Sequence, residues 1–225
     1  MLMVSSSSVP ACPPPPDRAA LREAALGHLA RFATTQHGLE QVLIRRIARW
    51  ERAALKAGAD RDEVAAQLAA LRPLIATIAH DMVQLGAVDD AAFARARAKR
   101  LTRSGRSGKA VQAHLAAKGV EADVREDALL DVVEGFSAQE TELSAALVLA
   151  RKRRLGPFAG LPRLRRVEST LNEESEEGRL HALAERQKAL GVFARSGFGR
   201  DIAEQVLDME QEEAAMWVER LKAES

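Results

Sequence analysis

An all-α fold is predicted by three features of the chain. Ala and Leu carry most of its apolar content, alongside many Arg, Glu and Gln, all strong helix formers; aromatic residues make up 4% of the 225 positions and tyrosine is absent. Apolar residues recur at three- and four-residue spacing, the period of one helix face. Finally, residues 115–129 (LAAKGVEADVREDAL) fit over residues 193–207 (FARSGFGRDIAEQVL), aligning Leu115 with Phe193, Gly119 with Gly197, Val120 with Phe198, Asp123 with Asp201, Val124 with Ile202 and Leu129 with Leu207. Repeated helical units of this kind form tandem arrays, and three units of three helices, elongated and curved, is the simplest count. The expected divisions are a disordered Pro/Ser-rich tail over 1–17, a first helical unit over 18–85, a second over 86–136 and a third over 137–225.

Taken in order, residues 1–16 hold a serine run and four consecutive prolines, which cannot bury apolar surface. Leu21, Ala25, Leu29 and Phe32 line a helix over 18–33. Thr34 or Thr35 breaks it, and Gly38 marks a turn. Leu39, Val42, Leu43, Ile47 and Trp50 form the apolar side of a helix over 39–57, closed by Gly58. A weaker echo of the repeat runs over 26–46. Asp60 caps the next helix, with Asp62 and Glu63 at its positive end. Pro73 is expected to kink or restart it, leaving a long connection over 58–73. Ile75, Ile78, Met82 and Leu85 carry the continuation to Gly86.

Asp89 or Asp90 caps a helix over 91–103, which ends in the Ser104-Gly105 turn. Ser107 caps a short helix over 108–118 with Val111 and Leu115 inward. A third helix over 121–134 buries Val124, Ala128, Leu129 and Val132. Ser137 and Glu140 form a capping box for a helix to Arg154, with Leu143, Leu147 and Ala150 on its apolar side. Gly156-Pro157 stops it. A charged insertion at about 158–178 reads as a long loop, and two helices, 180–195 and 200–223, finish the chain.

Composition excludes several function classes. One cysteine, Cys12, cannot form an internal disulfide, and no apolar run is long enough to span a membrane, so a cytoplasmic location is expected. The five histidines (His28, His37, His80, His114, His181) are scattered, and no metal site or catalytic triad is suggested. Gly105-Arg106-Ser107-Gly108-Lys109 only faintly resembles a phosphate loop, because Arg103 and Ala110 stand where that pattern needs Gly and Ser or Thr. Asp89 and Asp90 are read as helix caps rather than paired catalytic carboxylates. Trp50 and Trp217 are read as packing residues, with a partner groove as the other possibility. No enzyme activity, metal or cofactor is expected.

The remaining signal is charge. The whole chain carries a net charge of +1, yet residues 90–119 hold eight cations against the single anion Asp90. At 100° per residue, Phe93, Ala94, Ala98 and Leu101 share one arc, and Arg95, Lys99 and Arg103 share another. Arg100 flanks the stripe, and Arg106 and Lys109 extend it past the turn. Arg97 sits in the apolar arc and must snorkel to water or pair with an acid. Such a stripe is either a solvated face or a surface for phosphates or an acidic protein groove.

The chain also resembles the RecX family, regulators of the bacterial recombinase RecA. The resemblance rests on Leu85-Gly86-Ala87-Val88-Asp89-Asp90, Phe93-Ala94, the basic helix with its glycine turn, Leu115 through Val120, Gly156-Pro157-Phe158 and Gly197-Phe198. It implies a monomeric regulator that binds the RecA nucleoprotein filament and mainly inhibits its ATPase and recombinase activity in DNA repair and the SOS response. Filament or DNA, single- or double-stranded, would be held through Arg95, Lys99, Arg100, Arg103, Arg106 and Lys109, and no membrane partner is expected. The alternative is a helix-turn-helix-like DNA-binding protein that acts without a recombinase.

Overall fold

The structure, a computed structural model, describes residues 12–130, 132, 135–159 and 176–223. These residues are all-α, with ten helices, one 3-10 turn and no strand among them. The helices are α1 (Arg18–Leu29), α2 (Gln36–Lys56), α3 (Arg61–Gln84), α4 (Asp90–Arg103), α5 (Gly108–Ala116), α6 (Ala122–Leu130), α7 (Ala138–Arg153), α8 (Glu176–Arg195), α9 (Arg200–Asp208) and α10 (Gln211–Ala223). They fall into two compact units that divide between Phe93 and Ala94.

In the first unit α1, α2 and α3 enclose a core of Leu21, Leu39, Leu43, Ile47, Ile78 and Met82, with Trp50 at its edge. Trp50 is 8% exposed and so packs inward. Its indole N–H donates to the Pro13 carbonyl at 3.0 Å, and Asp17 caps α1, so the end of the expected disordered tail is tied to α2 at Pro13 and to α1 at Asp17. Residues 1–11 lie outside the described residues. Phe32 is 57% exposed because α1 ends three residues before it. Thr35 caps α2, and Gly38 therefore lies in the first helical turn.

Residues 61–84 form one continuous helix through Pro73, so the expected break and the long connection over 58–73 are corrected. Val64 and Leu71 before the proline and Ile75 and Ile78 after it are buried in the same core, which offsets the lost backbone hydrogen bond. Asp60 caps α3 by accepting from the Asp62 and Glu63 N–H groups at 2.9 and 3.1 Å.

In the second unit α7 is central. Residues 143–147 are all buried, because its neighbours cover more than one face and its small side chains admit them closely. Phe193, Phe198, Ile202, Val206 and Val218 complete this core. The expected capping box is formed, with Ser137 and Glu140 each accepting from the other's N–H. The repeat is visible in the backbone. Val120 N–H donates to Leu115 O at 3.2 Å and Phe198 N–H to Phe193 O at 3.1 Å. Gly119 and Gly197 turn with φ of +77° and +88°, and Leu115 and Phe193 are both fully buried.

Two differences stand out in the C-terminal part. The single helix expected over 200–223 is two, because Met209 is extended (ψ 141°) between α9 and α10. Asp208, the last residue of α9, is paired with Arg186 of α8 through both carboxylate oxygens. Helix α8 starts at Glu176, inside the expected insertion, and residues 160–175 of that insertion lie outside the described residues.

Candidate functional site

The cationic residues are positioned by α4, the turn after it and α5. Asp89 caps α4 by accepting from Ala92 N–H at 2.8 Å, whereas Asp90 accepts from Gln36 N–H at the start of α2. Burial pushes the Asp90 carboxyl up from its ordinary value. Both acids are thus engaged with helix N-termini. Ala94, Ala98 and Thr102 form the buried stripe of α4, which leaves Arg95, Lys99 and Arg100 exposed. Arg106 and Lys109 are exposed as well. Arg103 is half-buried, which departs from the stripe expected of it.

Three of these six residues are brought together. Lys99, Arg100 and Arg103 line an open hollow of about 580 Å³ with Ala96, Ser104 and Lys152. Arg95, Arg106 and Lys109 lie outside it. Lys152 comes from the last turn of α7, and its Nζ donates to the Ser104 carbonyl at 2.7 Å. Lys152 belongs to the basic run Arg151-Lys152-Arg153-Arg154, and nothing local in the sequence places that run beside α4.

Arg97 neither snorkels nor meets an acid. Its Nε donates to His114 Nε2 at 3.0 Å, which requires that nitrogen to be unprotonated. Desolvation, then the charges of Arg97, Lys118 and Arg106, hold the His114 pKa below its ordinary value. His114 is thereby kept neutral beside these cations. The unfolded chain binds more protons than the folded one between the depressed folded pKa and the free-histidine value of about 6.5. This contribution to stability is complete above that value and is lost as the pH falls through the window. In thermal melts, wild type is expected to lose more Tm than His114→Gln on acidification below about pH 6.5.

The glycine-rich turn has no room for a nucleotide phosphate. Ser107, fully buried, caps α5 and donates to the Ser196 carbonyl at 2.8 Å. The Gly108 N–H, where a phosphate would bind, donates to Glu142 Oε2 of α7 at 2.8 Å. Burial, with the nearby Asp201 charge adding to it, raises the Glu142 pKa even though that N–H favours the carboxylate. Glu142→Ala is expected to cost about 1–2 kcal/mol, since it leaves a half-buried N–H without its acceptor. Glu142→Gln keeps an acceptor and should cost less than half as much. Urea unfolding compares the two, and equal costs would contradict the assignment.

Among the described residues no group of three or more His, Cys, Asp or Glu side chains is arranged to hold a metal, and no helix is long and apolar enough to cross a membrane. Fold and site together define an all-α repeat protein with a cationic surface. The family model for the RecX second three-helix domain matches residues 89–129, which span α4 to α6. The Regulatory protein RecX of Myxococcus xanthus (strain DK1622) is 34% identical over 188 residues, covering 84% of each chain. That of Agrobacterium fabrum (strain C58 / ATCC 33970) is 33% identical over 150 residues, covering 66% of this chain and 65% of its own. The crystal structure of RecX from Lactobacillus salivarius shares the fold, with a TM-score of 0.52 at 16% identity over 88% of this chain and 97% of that one. The chain belongs to the RecX family of regulatory proteins.

Proposed function

We propose that this protein binds the nucleoprotein filament of the RecA recombinase in the cytoplasm and lowers its ATPase and recombinase activity during DNA repair. The observation that carries this reading is the 34% identity to a RecX regulatory protein along 84% of the chain. The cationic surface of α4 and α5 supports it, because a filament presents DNA phosphates and acidic protein grooves to an approaching partner. Arg95, Lys99, Arg100, Arg103, Arg106 and Lys109 are its proposed contacts, and the repeats supply the length to touch more than one RecA protomer.

The test uses cations that are exposed, so that folding is spared. The triple variant Arg95→Glu, Lys99→Glu, Arg100→Glu should keep the wild-type Tm within a few degrees. It should also need at least about tenfold more protein to inhibit DNA-stimulated ATP hydrolysis by RecA, since reversing a charge at a complementary contact costs more than 1.4 kcal/mol. Unchanged inhibition would make the face a solvated one.

A further inference from the structure

We infer that the hollow between the last turn of α4 and the last turn of α7 is a phosphodiester site, completed by Lys152, that grips the DNA backbone without reading sequence. This deepens the filament reading, on which it rests for bringing DNA to the protein. The walls are four cations (Lys99, Arg100, Arg103 and Lys152), one serine and one alanine. Such a lining lacks the buried aromatic or aliphatic anchors around which protein partners dock. It equally lacks a ring on which a base could stack. Charge-assisted contact to phosphate oxygens is what the lining offers, and that contact carries no sequence information.

Two opposing terms decide whether an anion is welcome there. The C-termini of α4 and α7 each place roughly half a negative charge near the hollow, about one in total. Four cations outweigh this, and no carboxylate is among the described residues of the lining. The geometry is held from both sides. Gly105 turns with φ of +82°, and a Cβ there would lie 2.9 Å from Leu149 N and 3.2 Å from Ala145 O, so the end of α4 rests on the α7 backbone. Lys152 spends one donor on the Ser104 carbonyl and keeps two for a phosphate oxygen. The site therefore exists only where one helical repeat meets the next.

The experiment measures fluorescence anisotropy of the full-length protein on a labelled mixed-sequence DNA duplex and on its scrambled counterpart across a salt series. Wild type should bind both equally, with log K falling as log salt rises at a slope of about −3 to −4 for four neutralised phosphates. Lys152→Glu should weaken binding at least tenfold and flatten the slope by about 1. Lys188→Glu, an equal change of charge at a residue 73% exposed on α8, should change it less than twofold. Lys152→Gln keeps a donor for the Ser104 carbonyl; it should melt like wild type and still bind more weakly, which separates the charge from any folding defect. Equal losses in the Lys152 and Lys188 variants would overturn the inference in favour of a diffuse field. If Lys152→Glu binds DNA normally yet no longer inhibits the RecA ATPase, the hollow takes protein carboxylates; the inference then fails and the filament reading stands. If wild type binds DNA as described but leaves that ATPase untouched, the inference holds and the filament reading fails.

Discussion

Phe193→Ala is expected to destabilise the second unit by about 3–5 kcal/mol, the usual cost of emptying a fully buried phenyl site. Phe193 has no exposed surface and meets Phe198 edge-to-face, with ring centroids 6.0 Å apart and planes at 80°. An aromatic pair of that geometry adds about 0.5–1.5 kcal/mol beyond its buried area. Leu115, the matching position in the preceding repeat, is equally buried but lacks a ring partner, so Leu115→Ala should fall at about 2–5 kcal/mol. Urea unfolding read by circular dichroism compares the two. A cost below about 1 kcal/mol for Phe193→Ala would contradict a core built around this residue, because it falls far short of the about 3–5 kcal/mol that truncating a buried phenyl group costs.

Gly105→Ala is the second large effect. A left-handed conformation costs a residue with a Cβ roughly 1–2 kcal/mol, and forcing that Cβ against the backbone of α7 adds about 1–3 kcal/mol. Gly58 offers an internal comparison: its φ is +88°, but no atom lies within 4 Å of the place a Cβ would take. Gly58→Ala should therefore show the conformational cost alone. The difference between the two variants isolates the close approach of α4 to α7, and no difference would contradict it. Gly105→Ala should also weaken DNA binding at the hollow, since Gly105 sets how near Ser104 lies to Lys152.

Local signals carried most of the fold into the sequence. Asp60, Ser107 and Ser137 were legible as caps because each bonds an N–H two or three residues away. The Gly119 and Gly197 turns were legible for the same reason: their hydrogen bonds close within five residues. What tertiary packing decides was hidden. Pro73 breaks a helix in isolation, yet the core on both sides keeps α3 whole. The break between α9 and α10 falls at Asp208-Met209-Glu210, with no glycine or proline to mark it.

The candidate site divides in the same way. A 100° period was enough to place Arg95 and Lys99 on one exposed face of α4, but not to foresee that Arg103 is half-buried. Lys152 is 48 residues from the carbonyl it binds, and Arg97 is 17 residues from His114. Neither pairing follows from periodicity along a single helix. Glu142 looks in the sequence like one more helix charge, yet it has a defined role, since its carboxylate fills the α5 N-terminus that a phosphate loop would have needed.

The proposed regulation of RecA is tested by DNA-stimulated ATP hydrolysis by purified RecA with this protein titrated in. Inhibition that deepens with dose and is substantial by equimolar amounts is the predicted result. Undiminished hydrolysis at an equimolar ratio would contradict it.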